Sequence, residues 1–202
     1  MDFVYISIPK TASQSVRQLL IDNGRIDLAK NNHESIYNYK GDIGFSFSFI
    51  REPIERLKSW FYFSKKQMMS SYNNSNMQTF GKIYNVTFVE WVRQGFLTHW
   101  SKDFCASLGI DSPLNQCDFV CKNGIVDVDY LANFTNINNE MIKIAKKMNF
   151  NNCILRSIGS NHKQEEFMDS SIISLIKEKF KNDFKLYDLI EKKVLTKGIK
   201  VF

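Results

Sequence analysis

The sequence has little of the residues that interrupt regular structure, and it has no long apolar run. Its 202 residues include only three prolines and nine glycines, which argues against a scaffold built from loops. No apolar run reaches the roughly 18 residues that a membrane-spanning helix needs. The first residues also lack the basic and cleavable apolar segments of a secretory signal. We therefore expect a soluble, cytoplasmic chain. The Golgi lumen is the alternative if a further segment precedes this sequence in the full-length protein.

Cysteine is present, but in no recognisable metal-binding or redox pattern. The four cysteines are Cys105, Cys117, Cys121 and Cys153. The spacing of Cys117 and Cys121 is too wide for a CxxC pair, and no histidine lies at zinc-finger spacing beside them. Alternation along Cys117, Phe119 and Cys121 favours one face of a strand. We expect free, buried thiols and no metal site, with a disulfide that involves Cys105 as the alternative.

The apolar content and the charge are ordinary for one globular domain. Hydrophobic residues make up 44% of the chain and charged residues 24%. A chain of this length buries roughly 70% of its unfolded surface, so we predict a single domain over residues 1–202. The net charge of +6 suits anionic ligands such as phosphate esters, acidic glycans, nucleic acid or an anionic membrane, without choosing among them.

Short apolar runs alternate with helical periodicity along the chain. The bulky run at 3–8 predicts a buried strand, and Val16, Leu19 and Leu20 predict a helix behind it. The run at 45–50 predicts a second strand, which Pro53 follows in the first turn of a helix. The other predicted elements are strands at 119–121, 130–134 and 153–155, helices around 88–92, 141–148 and 172–194, and a polar loop at 69–77. This alternation predicts an α/β fold, a three-layer sandwich with a mainly parallel central sheet.

The first candidate motif lies between the first predicted strand and the first predicted helix. Residues 9–15 read Pro-Lys-Thr-Ala-Ser-Gln-Ser. Such a loop offers backbone N–H groups to an anion, and the helix dipole favours negative charge there. Lys10 adds a cation, and Thr11, Ser13 and Ser15 add hydroxyl donors. The GxxxxGK[ST] pattern of ATP-binding loops is absent. The alternative is an N-capped helix with Ser13 as the cap.

The second candidate motif lies at the carboxyl end of the second predicted strand. Arg51 stands at that end, where open α/β sheets bind ligands, and Ser59 follows about two helical turns later. An arginine fork and a hydroxyl suit a terminal phosphate. The alternative is an amphipathic helix with exposed charges. We expect Arg56, on the same helix, to form a structural ion pair.

Together the two motifs resemble those of the sulfotransferase superfamily. The first is similar to the loop that holds the 5′-phosphosulfate of 3′-phosphoadenylyl sulfate (PAPS). The second is similar to the R-x-P-x-x-R-x-x-S element that holds its 3′-phosphate. Their spelling is closest to the carbohydrate, Golgi-type branch, in particular to uronyl and heparan sulfate 2-O-sulfotransferases. Weaker landmarks of that branch lie at 98–100, 128–134 and 160–162. The resemblance implies the sulfotransferase form of the P-loop-NTPase-like fold.

The resemblance also implies roles for particular residues. The cofactor-binding residues that it implies are Lys10, Thr11, Ala12, Ser13, Gln14, Ser15, Arg51 and Ser59. Lys10 would also stabilise the negative charge that builds on the oxygen between sulfur and the 5′-phosphate. No metal is required, because Lys10 and the backbone donors supply that stabilisation. The sequence departs from the branch at Gln14, where Thr or Ser is common, and at Thr135, where Glu is frequent.

The acceptor hydroxyl needs a general base, and histidine has a suitable pKa. The chain has three histidines, His33, His99 and His162. In the family the base commonly lies between the two motifs, and among the histidines only His33 does so here. Glu34 beside it is the second candidate, because some members use a carboxylate. We predict that His99 and His162 contact the acceptor substrate.

These observations predict a sulfotransferase that moves a sulfonate group from PAPS to an acceptor hydroxyl, by resemblance on a carbohydrate, and releases PAP. Three alternatives stay open. A PAP- or PAPS-binding homologue without catalysis fits the two departures from the branch. A nucleotide-kinase-like phosphoryl transferase would need the missing Walker pattern. A nucleic-acid binder is disfavoured because the basic residues are scattered and carry no known motif. The acceptor and the oligomeric state do not follow from the sequence.

Overall fold

Three parallel strands form the main sheet of the computed structural model, which describes residues 3–29, 33–70, 85–156 and 166–202, with only the backbone at 68–70. The strands are β1 (Phe3–Tyr5), β2 (Phe45–Ile50) and β5 (Tyr130–Asn133), in the spatial order β1-β2-β5. A second, antiparallel pair consists of β3 (Cys121–Lys122) and β4 (Ile125–Val126). Beyond the last strand, Leu131 and Leu195 exchange two backbone hydrogen bonds of 2.9 Å, so a C-terminal segment borders β5.

Helices connect and flank these strands. In chain order they are α1 (Ser13–Asp22), α2 (Ile26–Ala29), α3 (Pro53–Ser70), α4 (Phe88–Arg93), α5 (Lys102–Ser107), α6 (Cys117–Val120), α7 (Ile137–Lys147), α8 (Ser170–Lys179) and α9 (Lys181–Lys192). Single turns of 3-10 helix occupy Ile36–Asn38 and Phe134–Asn136. In the parts of the chain that the structure describes, no helix has both the length and the apolar character needed to cross a membrane.

The sheet carries helices on both faces because successive strand side chains point in opposite directions. On one face Phe47 packs in a cluster with Leu19 of α1 and Ile144 of α7. On the other face Leu131 packs in a cluster with Leu186 of α9. A third apolar cluster joins α3, α4 and α8. The result is the predicted three-layer α/β sandwich with a parallel central sheet.

Two predicted strands are wrong. The structure places α6 at 117–120, where sequence alternation predicts a strand, because Asp183 accepts hydrogen bonds from the N–H groups that begin this helical turn. Residues 153–155 are not in a strand, and Ile154 is 75% exposed instead of packed in a sheet. The predicted loop at 69–77 lies, after residue 70, outside the described residues. All four cysteines are free thiols, as expected, and three of them are buried.

Candidate active site

The loop between β1 and α1 is a tight turn held by its own residues. Thr11 donates from both its N–H and its hydroxyl to the Ile8 carbonyl, at 3.4 and 2.9 Å. Lys10 and Ala12 have φ angles of 69° and 61°, a left-handed conformation that residues with a Cβ rarely adopt. Backbone strain of this kind is characteristic of ligand-binding loops. The hydroxyl of Thr11 therefore holds the loop itself.

The amino end of α1 faces a cavity without a side-chain cap. Ala12 precedes the first helical residue, Ser13, so the alternative with Ser13 as the N-cap is wrong. Val16 N–H makes the first hydrogen bond of the helix, 3.0 Å to the Ala12 carbonyl. The N–H groups ahead of Val16 have no intrahelical carbonyl to bind and lie at the positive end of the helix dipole. Because Ser13, Gln14 and Ser15 line the cavity, this helix end can donate to an anion there.

Arg51 lies next to this loop because β1 and β2 are parallel neighbours whose carboxyl ends share one edge of the sheet. Its Nη1 donates to the Lys10 carbonyl at 3.4 Å, and its Nη2 is 4.0 Å from a carboxylate oxygen of Glu55. The guanidinium carbon lies 5.1 Å from the centre of the Phe134 ring. Ser59, on α3, lines the same cavity as Arg51. The structure thus brings the two sequence motifs together.

The cavity between the loop and α3 has a volume of 360 Å³. Three cationic side chains line it, Lys10, Arg17 and Arg51, and none of its described lining residues is an Asp or a Glu. Aromatic rings, including those of Trp60 and Phe134, supply apolar surface. This set of donors fits a ligand that carries several negative charges and an aromatic part. Across the described ranges no group of three or more His, Cys, Asp or Glu side chains could hold a metal ion.

Lys10 is a cation whose charge is poorly hydrated. The pKa of its amine is lowered to about 8, mainly by burial and in part by the positive charges of Arg51 and Arg56. Its Nζ lies 3.7 Å from the centre of the Phe63 ring, which provides a partial electrostatic partner. An anion bound beside Lys10 therefore favours the protonated amine.

His33 lines the cavity as a neutral imidazole. Its Nδ1 is 2.6 Å from the Ser7 carbonyl and 3.2 Å from the Ser7 hydroxyl. Since a carbonyl only accepts, Nδ1 donates the proton and Nε2 keeps a lone pair. Burial lowers the pKa of His33 to about 4, and the positive charges of Arg17, Arg56 and Lys10 act in the same direction. At neutral pH the ring is therefore unprotonated at Nε2.

A comparison with known families agrees with this geometry. A family model described as "Sulfotransferase family" matches residues 1–189. The chain belongs to the sulfotransferase family. Searches of curated proteins and of solved structures found no significant match. Sulfonate transfer is therefore the class of chemistry to which the two motifs, the parallel sheet and the cationic cavity belong.

The remaining candidate residues of this sulfotransferase occupy different places. His99 lines the cavity and stacks on Trp60, with ring centres 5.8 Å apart and planes at 19°. Burial lowers the pKa of His99, so its ring is also neutral. Glu34 is not among the residues that line the cavity, and Thr11 is fully buried beneath it. His162 lies outside the described residues.

Sequence reasoning identified only Ser59 on the wall of the sulfotransferase cavity that α3 forms. On α3 the lining residues are Ser59, Trp60, Phe63, Ser64 and Gln67. Their spacing of three and four residues marks one face of a helix, a signal that the printed sequence contains. Arg17, four residues after Ser13 on α1, follows the same rule and was also missed.

The predicted ion pair of Arg56 is replaced by hydrogen bonds to the backbone. The side chain is 1% exposed. Its Nε donates to the Pro9 carbonyl at 2.9 Å, and Nη1 and Nη2 donate to the carbonyls of Leu114 and Pro113, each at 2.6 Å. Arg56 therefore connects the loop between β1 and α1 to the segment that precedes α6.

Proposed function

We propose that this sulfotransferase transfers a sulfonate group from PAPS to a hydroxyl group of a carbohydrate. The observation that carries the proposal is a single cavity lined by the α1 amino end, Lys10 and Arg51, with no carboxylate among its described lining residues. A nucleotide with phosphate groups at both its 5′ and its 3′ positions needs two separate cationic contacts, and Lys10 and Arg51 can supply them. The spelling of the two motifs supports the carbohydrate acceptor.

The two motifs would bind different parts of the donor. When bound, PAPS supplies the sulfonate group. The amino end of α1, with Ser13, Gln14 and Ser15, would hold the 5′-phosphosulfate. Arg51 and Ser59 would hold the 3′-phosphate. Thr11 and Ala12 contribute through the turn that shapes the loop.

Lys10 is assigned to charge stabilisation in the transition state. Negative charge develops there on the oxygen that joins sulfur to the 5′-phosphate, and a cation beside it lowers the barrier. The buried position of Lys10 strengthens this effect, because water competes less for its charge. The left-handed turn at Lys10 fixes where its side chain leaves the loop.

His33 is assigned as the general base, with Glu34 as the second candidate. Nδ1–H is fixed on the Ser7 carbonyl, so Nε2 is the atom that would take the acceptor proton. An anion in the cavity raises the pKa of the ring toward the working pH, because negative charge stabilises imidazolium. His99 lines the same cavity and is assigned to the acceptor side.

Thermal unfolding with PAP, the desulfated donor, tests the proposal. A ligand at a hundred times its Kd adds about 2.7 kcal/mol of stability, which for a chain of this size is a rise in Tm of roughly 5–10 °C. We expect this rise with PAP, and a much smaller one with ATP or with PAP in Arg51→Ala. No rise at saturating PAP would refute the donor assignment. Turnover with PAPS on desulfated glycans, compared with phenols and amines, tests the acceptor class and separates catalysis from binding alone.

A further inference from the structure

Arg51 is held more firmly through its backbone than through its guanidinium group. Its N–H donates to Oε1 of Gln116 at 3.0 Å, and Nε2 of Gln116 donates to its carbonyl at 2.8 Å. By contrast, the guanidinium contacts are a 3.4 Å hydrogen bond to the Lys10 carbonyl and a 4.0 Å ion pair to Glu55, whose side chain is 55% exposed. The backbone contacts therefore determine the position and direction of the Arg51 Cα–Cβ bond.

A side-chain amide binds the backbone of the residue that follows β2. The ladder between β2 and β5 ends with the pair Ile50 and Asn133, and Arg51 is the next residue along the chain. A glutamine amide carries one acceptor oxygen and donor hydrogens, which match the N–H and the carbonyl of one residue. Gln116 thus satisfies both backbone groups of Arg51, just past the end of β2.

Gln116 is itself held in place by contacts of its own backbone. Its side chain is completely buried. Its N–H donates to one oxygen of Asp183 at 2.8 Å, and the N–H of Cys117 donates to the other at 2.9 Å. Asp183 belongs to α9, which packs on the sheet, so the carboxylate is a rigid support. The segment that ends at Gln116 is also bound by Arg56, as described above, and this places it between the two motifs.

We propose that Gln116 is a positioning residue for the 3′-phosphate contact. It fixes the backbone of Arg51 so that the guanidinium group faces the cavity before any ligand binds. Gln116 does not line the cavity, so it acts through Arg51 alone. This inference rests on the proposed function, in which Arg51 holds the 3′-phosphate.

The test compares two nucleotides that differ only in the 3′-phosphate, PAP and 5′-AMP. Calorimetry gives the Kd of each for wild type, Gln116→Met, Arg51→Ala and the double variant. Methionine keeps the volume of the side chain but makes neither hydrogen bond. We expect Gln116→Met to weaken PAP binding roughly tenfold, within the range for residues that share a hydrogen-bond network, and to change 5′-AMP binding less than about twofold. In the Arg51→Ala background, Gln116→Met should have no further effect on the ratio of the two Kd values.

Ser48→Ala is the matched control for a loss of stability alone. It removes a buried hydrogen bond of 2.7 Å to the Ile6 carbonyl, in the same sheet but away from Arg51. We expect the ratio of the two Kd values to stay at its wild-type value in this variant. If Gln116→Met does not fold, Gln116→Asn takes its place. It keeps the amide but is one methylene too short, so the same loss of PAP binding is expected.

Two results would contradict the inference, and they are distinguishable. A folded Gln116 variant with the wild-type ratio of Kd values would overturn the role of Gln116 and leave the proposed function intact. A wild-type protein that binds PAP no more tightly than 5′-AMP would overturn the 3′-phosphate assignment of Arg51, and with it the role of Gln116.

Discussion

Replacing Arg56 with methionine should destabilise the fold and loosen the loop between β1 and α1. Arg56 is almost fully buried, and its three donor nitrogens bind the carbonyls of Pro9, Leu114 and Pro113. Methionine has a similar length but no donor. All three carbonyls would therefore lose a charged partner in a place that water reaches poorly.

The size of the effect follows from opposing contributions. Hydrogen bonds from a charged donor contribute about 1.5–3 kcal/mol each, so three contribute roughly 5–9 kcal/mol. Burial lowers the pKa of Arg56 to about 10, which corresponds to roughly 3 kcal/mol against the charged form. The buried methionine side chain would contribute about 1–2 kcal/mol of stability through apolar contact. The central values of these contributions give a net loss of about 2.5 kcal/mol in the free energy of unfolding, or roughly 5–10 °C in Tm.

Urea unfolding followed by circular dichroism measures this loss, with Arg93→Met as the control. Arg93 lies on α4 with its side chain 57% exposed, and its Nη2 is 3.8 Å from a carboxylate oxygen of Asp169. An exposed ion pair of this kind contributes at most about 1 kcal/mol. An Arg56→Met variant no less stable than Arg93→Met would show that the three carbonyl contacts do not stabilise the fold, and the reasoning would fail.

Two predictions concern titration in the cavity. Because the pKa of unliganded Lys10 is about 8, the affinity for PAP should fall as pH rises above 8, and Lys10→Met should bind more weakly with a flatter profile between pH 7 and 9. Titration calorimetry across this range checks both; an unchanged slope in the variant would count against Lys10. His33→Gln should lower kcat by roughly 10²–10⁴-fold while the Kd of PAP stays within about twofold. The unfolded chain binds a proton at His33 near pH 6.5 and the native chain only near pH 4, so His33 makes stability fall as pH falls through this window. His33→Gln should flatten that dependence in urea titrations, and equal pH slopes for the two proteins would contradict the buried neutral ring.

Local sequence patterns were sufficient to predict a helix or strand where its side chains contact only their own element and the core. The alternating run at 45–50 predicts β2, and the apolar spacing at 141–148 predicts α7, which begins earlier, at Ile137. Both motifs of the site also follow from local order, because each is a strand followed at once by a polar turn and a helix. Parallel pairing of β1 and β2 then brings Lys10 and Arg51 together.

Contacts between a side chain and a distant backbone could not be predicted in this way. Cys117–Val120 becomes a helical turn because of Asp183, which lies 66 residues from Cys117 along the chain. Arg56 and Gln116 likewise bind backbone groups. Every residue other than proline carries the same backbone N–H and carbonyl, so the sequence does not indicate which backbone group a distant side chain binds.

The segment that borders β5 bears on how this protein should be shortened for experiments. Residues matched by the family end at 189, whereas Leu195 pairs with Leu131 beyond that point. A chain cut at the family boundary would keep both motifs but would leave the backbone of β5 unpaired along one side. Unpaired strand edges recruit other chains, so such a fragment would be prone to aggregate although both motifs were present. The family match therefore ends before a segment that pairs with the sheet.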